Sequence, residues 1–232
     1  MIDLNKTITE KHCLRTAIFD LDGTLVDTLP DIELAVNRVL VESGLNKLTQ
    51  EEIRQQIGLG GTALVRAGLT KAGFPLEKQR IKELQQRYLD QYRLNPVIHS
   101  RVYPGVLNLL DRLLNSGVNL ALCTNKNESV ATLILEKLGL KDYFSVIVCG
   151  DTMPYKKPDP RPLHLALKST GTSANYAILI GDSDIDIKAA HSAGMLCAYV
   201  SFGYGRLLSC KPDIIIDDYS NFEIDWRSFI FQ

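Results

Sequence analysis

The chain has 232 residues, 45% apolar and 23% charged, with a formal net charge of −1. That length suits one large domain or a core with a smaller insert, and the near-neutral balance offers no general attraction for nucleic acid. No apolar run approaches the roughly 18 residues of a membrane span, and the N-terminal MIDLNKTITEKHCLR lacks a signal-like apolar stretch, so a cytoplasmic protein is expected. The five cysteines, Cys13, Cys123, Cys149, Cys197 and Cys210, are odd in number, sit mostly in or beside apolar runs and form no CxxC pair. They read as reduced thiols, not as a disulfide frame or a zinc site.

In chain order, residues 1–12 read as an N-terminal extension, and LRTAIFD (14–20) as the first strand. Its consecutive apolar positions fit a strand buried on both faces. Three aspartates follow, Asp20, Asp22 and Asp27, with Gly23 and Thr24 between them. Residues 28–98 then carry no strand pattern and predict four helices. The first runs over 30–43, the second opens on a capping box of Thr49 and Glu52, the third follows GLGG (58–61) with Thr62 as N-cap, and the fourth covers about 76–93. Beyond them, helical patterns at 104–116, 127–138 and 183–193 alternate with apolar runs at 118–124, 145–150, 176–182, 196–201 and 213–216. The alternation predicts an α/β fold, a doubly wound parallel sheet of Rossmann-like type. Its core comprises 13–27 and 99–232, and the small all-helical unit at 28–98 is inserted after the first strand.

Open parallel sheets bind ligands beyond the carboxyl ends of their strands. There the sequence places Asp20 and Asp22, then Thr124 and Asn125, then Lys156 and Lys157, then Asp182 with Asp184 and Asp186 behind it. So many carboxylates in one cleft would repel one another unless a hard cation sits among them. Mg²⁺ suits, because it takes oxygen ligands yet keeps sites for water and phosphate. Asp20 and Asp182 are the expected side-chain ligands, the backbone carbonyl of Asp22 a third, and Asp186 a holder of a metal-bound water. Lys157 and Thr124 offer a phosphate a point charge and a hydroxyl donor. Asp31 and Asp184 read as helix caps or loop residues, and Asp27 as a cap, a hinge anchor or a substrate-side acceptor. His12, His99, His164 and His191 fall in no motif and read as surface positions. Trp226 and the tyrosines show no basic–aromatic interleaving, which argues against nucleic acid.

These strand ends resemble the four motifs of the haloacid dehalogenase-like phosphohydrolases, in order: DLDGTLVDT (20–28 with its preceding strand), CTNK (123–126), KKPDPRPL (156–163) and GDSDID (181–186). The resemblance implies that Asp20 is the nucleophile, forming an aspartyl-phosphate, and that Asp22 is the general acid and then the base. It selects Lys157, directly before proline, over Lys156 as the lysine of the site. It gives Asn125 a role in orienting phosphate or nucleophile, lets Gly23 bring backbone close to the phosphate, and requires Mg²⁺ held by Asp20, Asp22, Asp182 and Asp186. The helical insert is similar to a cap that closes over the site and selects the substrate.

Within that superfamily the chain is most similar to bacterial phosphoglycolate phosphatases, through the VDT ending, the GLG loop, YPGV (103–106), TNK (124–126), GDTMPYKKPDPRPL and SFGYG (201–205). A small phosphorylated metabolite, 2-phosphoglycolate, is the implied substrate. Related enzymes with these features act on sugar phosphates, N-acetylmuramate 6-phosphate or pyrophosphate, and a phosphomutase would use the same two aspartates. Asp20, Asp22 and Lys157 are all present, which argues against a non-catalytic scaffold. In the insert, Gly58, Gly60 and Gly61 read either as an anion-holding turn or as a tight turn between helices, with Arg66 one turn inside the next helix as a carboxylate-binding candidate. A monomer or a homodimer is expected.

Overall fold

The structure is a computed structural model, and it describes residues 14–220 and Phe222. The N-terminal extension, Cys13, His12 and Trp226 lie outside the described residues. The chain opens with β1 (Thr16–Phe19) and β2 (Val26–Asp27), then passes through four helices: α1 (Leu29–Glu42), α2 (Gln50–Arg54), α3 (Gly61–Lys71) and α4 (Lys78–Leu94). It returns through β3 (Arg101–Val102) and α5 (Val106–Asn115) to β4 (Asn119–Cys123), α6 (Glu128–Lys137) and β5 (Val146–Val148). It ends with α7 (Arg161–Thr170), β6 (Ala177–Gly181), α8 (Asp184–Ser192), β7 (Leu196–Val200) and β8 (Ile214–Ile216).

Six strands form one sheet in the order β5-β4-β1-β6-β7-β8, and every neighbouring pair is parallel. The consecutive apolar residues of β1 explain its central place, since Ala17, Ile18 and Phe19 are all fully buried. Alternate strand residues feed two cores. Phe19, Leu122, Ile180 and Val200 pack with Leu109 and Leu110 of α5 and Ile134 of α6. Ile18, Ala121, Leu179 and Cys197 pack with Leu163 and Leu167 of α7 and Ile187 of α8. Helices thus cover both faces, as a parallel sheet requires. Truncating Ile18 to alanine should cost about 2–5 kcal/mol, the usual range for a core methyl-rich side chain.

The helical insertion lies between β2 and β3, which pair antiparallel as Val26↔Val102 and Asp27↔Arg101. This ribbon is too short to leave a period-2 signature, and the sequence reading lacks it. It lacks α7 as well, where Pro162 opens the helix and Gly171 closes it in a left-handed conformation. The start of α3 is also corrected. Gly60, at φ 88°, occupies the N-cap, a backbone region few other residues reach, while the Thr62 hydroxyl donates to Gln85 of α4 at 2.8 Å. The Thr49–Glu52 capping box forms as the sequence predicts.

Asp31, near the start of α1, is buried and receives the backbone N–H groups of Ile98, His99 and Ser100 and the Ser100 hydroxyl. It ties the chain entering the insertion to the chain leaving it. Though burial opposes ionisation, these donors outweigh it and hold the carboxyl below its usual range. Asp184 joins in the same way to Leu208 and Ser209. His99, His164 and His191 are exposed. Cys123, Cys149 and Cys197 are buried free thiols, and Cys210 is half-buried. Among the described residues no helix is long and apolar enough to cross a membrane.

Candidate active site

β1 ends at Phe19, and the N–H of Asp20 continues the ladder to Ile180 O at 2.9 Å, so the position of the Asp20 backbone is set by the sheet. The chain then turns sharply. Leu25 N and Val26 N both donate to Leu21 O, and Gly23 N donates to Val26 O. Gly23 has φ 77°, and a Cβ there would lie 2.3 Å from Asp182 Oδ2, so no larger residue fits this turn. Asp182 follows β6 directly, the strand next to β1, and Asp186 lies one helical turn further on in α8.

Asp20, Asp182 and Asp186 each place an oxygen within 4.8 Å of the others, and all three are buried. Burial pushes the Asp182 carboxyl up to about 8, with Asp186 and Asp20 adding to the rise. Burial likewise pushes Asp20 up to about 6, against the pull of the Lys157 ammonium. Three clustered carboxylates in low dielectric need positive charge. Lys157 supplies part of it, with Nζ 2.6 Å from Asp186 Oδ1 and 3.1 Å from Asp20 Oδ1. Burial works against its charge, but Asp186 and Asp20 outweigh that and hold its pKa well above the ordinary lysine value. The approach of Lys157 to Asp20 lacks hydrogen-bond geometry, and Asp20 Oδ1 is a buried acceptor without a hydrogen bond. A buried oxygen in that state, in an all-carboxylate set, fits a hard divalent cation. Asp182 Oδ2 accepts from Tyr204 N at 2.7 Å and Gly205 N at 3.1 Å, and the two oxygens of Asp186 accept from Lys157 and the Ser183 hydroxyl.

Asp22 stands apart from that cluster. Its carboxylate receives the Thr28 hydroxyl at 2.6 Å and Lys126 Nζ at 2.9 and 3.1 Å. Lys126 is buried, donates also to the Tyr92 hydroxyl of α4 at 3.3 Å and stands 4.6 Å from the Tyr92 ring centroid. Sequence reasoning assigned no role to Lys126. Its place in TNK, two residues past Thr124 at a strand end, was the available signal.

Thr124 follows β4, is buried and faces the same cleft as Asp20 and Asp22. Its oxygen accepts from Lys126 N at 3.3 Å, and among the described residues its hydroxyl donates to no protein group. Asn125 is used differently from the expected phosphate contact. Its Oδ1 accepts Lys157 N at 2.9 Å, and its Nδ2 donates to Lys157 O at 2.8 Å and to Gly58 O at 2.7 Å. With both amide hydrogens taken, Asn125 fixes the Lys157 backbone and pins the insertion's glycine turn to the core.

The cleft between core and insertion holds about 80 Å³ of open space. Asp20, Asp22, Thr124 and Lys126 line its core side, with Gly58, Gly60, Gly61, Tyr88 and Tyr92 opposite. Arg66 is not there. It is exposed, because α3 turns Leu64, Val65, Gly68 and Leu69 inward and leaves position 66 on its outer side. Lys156, read from the sequence as the lesser of two lysines, does line the cleft.

The model of the haloacid dehalogenase-like hydrolases matches residues 17–200, the span from β1 to β7. The chain belongs to that family. A phosphoglycolate phosphatase of Agrobacterium fabrum is 38% identical over 215 residues, covering 92% of this chain and 92% of its own. One of Rhodospirillum rubrum is 37% identical over 221 residues, covering 93% of this chain and 91% of its own. The crystal structure of a predicted phosphoglycolate phosphatase from Haemophilus somnus superposes with a TM-score of 0.83 at 32% identity, covering 90% of this chain and 96% of that one. In this haloacid dehalogenase-like enzyme, residues of the first three motifs line the cleft, and Asp182 and Asp186 of the fourth cluster behind it with Asp20. Of the residues named from the sequence, Asp20, Lys157, Asp182 and Asp186 form one cluster, Asp22 and Thr124 share the cleft with Asp20, Gly23 and Asn125 support them, and Arg66 stays outside.

Proposed function

We propose that the protein is a Mg²⁺-dependent phosphatase that hydrolyses 2-phosphoglycolate to glycolate and phosphate. The observation that carries the reading is the separation of the two first-motif carboxylates. Asp20 lies in the charged cluster with Lys157, Asp182 and Asp186, while Asp22, two residues on, is held apart by Thr28 and Lys126. One carboxylate is thus set up to attack and the other to exchange a proton. The compact cleft favours a small ester, and the two curated relatives described above carry this activity in their names.

In the first half-reaction an oxygen of Asp20 attacks phosphorus, and the bond to the glycolate oxygen breaks as Asp22 donates its proton to that oxygen. In the second, Asp22 takes a proton from water, the water oxygen attacks the aspartyl-phosphate, and Asp20 leaves as carboxylate. Lys157 and the Thr124 hydroxyl offset charge on the phosphoryl oxygens. Asp20 and Asp182 would hold Mg²⁺, with the Asp22 carbonyl and Asp186 around it; the ion supplies charge neutralisation at the transferring group. Tyr88 and Tyr92 limit water at the leaving-group side. Residues 28–98 act as the substrate-selecting cap.

The test is phosphate release with Mg²⁺ from 2-phosphoglycolate, hexose phosphates, N-acetylmuramate 6-phosphate and pyrophosphate, with Asp20→Asn as blank. Preference for 2-phosphoglycolate is expected. Preference for another ester overturns the substrate, and release that needs a sugar bisphosphate activator indicates a mutase.

A further inference from the structure

Three lysines stand on the core side of the cleft region. Lys157 is neutralised by Asp20 and Asp186, and Lys126 by Asp22. Lys156 is half-buried and lines the cleft, and among the described residues its ammonium has no hydrogen-bond or ion-pair partner. Its Nζ reaches the glycine turn of the cap, since a Cβ built on Gly60 would lie 3.1 Å from it. Asn125 fixes that seam by donating to Gly58 O on the cap and Lys157 O on the core. Asp151, the remaining carboxylate of the lining, already accepts Glu128 N at 2.8 Å and Asn127 Nδ2 at 2.5 Å.

A cation kept at the edge of a small cleft, with the two other lysines already paired, is an unmatched charge awaiting an anion from outside. The phosphoryl group is provided for by Lys157 and Thr124. We infer that Lys156 is the specificity-determining residue for a second anionic group on the substrate, and that its ammonium receives the carboxylate of the leaving acid against the Gly58–Gly61 turn. The inference rests on the phosphatase reading above and names the residue that separates phosphorylated acids from neutral esters. Gly60 is glycine for a related reason: a side chain there would fall on the Lys156 ammonium and on Asn125 O, each 3.1 Å from the added Cβ.

The experiment compares 2-phosphoglycolate with 2-hydroxyethyl phosphate, in which an alcohol replaces the carboxylate, on the wild type, Lys156→Met and Lys156→Arg. Lys156→Met should raise KM for 2-phosphoglycolate on the order of ten- to a hundredfold relative to its effect on the neutral analogue, as expected for loss of a charged hydrogen bond. Little of that change should appear in kcat, and Lys156→Arg should restore much of the preference. Circular dichroism controls for folding. A wild-type preference for the acid that Lys156→Met leaves intact overturns the inference alone, as does an equal loss on both esters. A wild type that cleaves other phosphomonoesters without preferring the acid overturns the substrate reading and this inference together.

Discussion

The core and the cap face each other across one cleft but are built on different rules. On the core side three of the groups sit just past the end of a parallel strand: Asp20 after β1, Thr124 after β4, Asp182 after β6. The sheet register fixes them, and Lys157 offsets part of the carboxylates' charge. On the cap side the lining is the glycine turn, Gln56, Gln85, aliphatic side chains and two tyrosines, with no carboxylate, lysine or arginine; burial pushes Tyr88 and Tyr92 above the ordinary phenol range. The contrast places the charged groups of the cleft in the core and uncharged ones in the helical insertion, the division of labour that the proposed reaction would use. Lys126 joins the two sides, since it touches both Asp22 and Tyr92, as does Asn125 through Gly58 O and Lys157 O.

Substitutions should rank accordingly. Asp20→Asn should remove turnover by on the order of 10⁴-fold or more while circular dichroism stays unchanged; substantial residual activity would break the assignment of the reaction to the core. Lys126→Met should lower kcat and also cost about 3 kcal/mol in a denaturant titration, because it leaves the Asp22 carboxylate buried without its cation. Tyr92→Phe, losing only a 3.3 Å contact, should cost under about 1 kcal/mol. If the two variants lost equal stability, the link would belong to the cap as much as to the core.

The carboxylate cluster gives a pH signature. Asp20 and Asp182 have an ordinary value of 3.8, and the fold raises them to about 6 and about 8. Across that window the folded state binds more protons than the unfolded one, so stability without metal should fall as pH rises from about 4 to about 8. A divalent cation takes the place of those protons. The rise in Tm on adding Mg²⁺ should therefore be larger near pH 8 than near pH 5. An equal rise at both would detach the ion from the cluster. The smallest effect is expected for Arg66→Ala: exposed and outside the cleft, it should change kcat/KM for 2-phosphoglycolate by less than about twofold.

Much of this was readable from the chain. Apolar runs of four to six residues predict β1, β4, β6 and β7 because strands buried on both faces have little choice of composition. The strand-end aspartates are legible for the complementary reason that a carboxylate beside such a run is costly without a partner. Lys126, Lys156 and Arg66 were less legible. A lysine has the same letter whether it pairs with Asp22, points at a glycine turn or meets solvent, and only the packing separates those fates. Arg66 was placed by its distance from a glycine turn, but the direction of a helical side chain depends on which stripe is buried. The β2–β3 ribbon carries two residues per strand, too few for any periodicity.

That ribbon has a consequence for modularity. Because Asp27 pairs with Arg101 and Asp31 grips residues 98–100, the cap's two ends are stitched side by side. Seen from the sheet, everything between them is one long hairpin loop, and the entropy of closing a loop grows only with the logarithm of its length. The core is therefore nearly indifferent to the size of what hangs there. Such a joint is a natural splice point, where one helical cassette can be exchanged for another and a new leaving group presented to the same carboxylates.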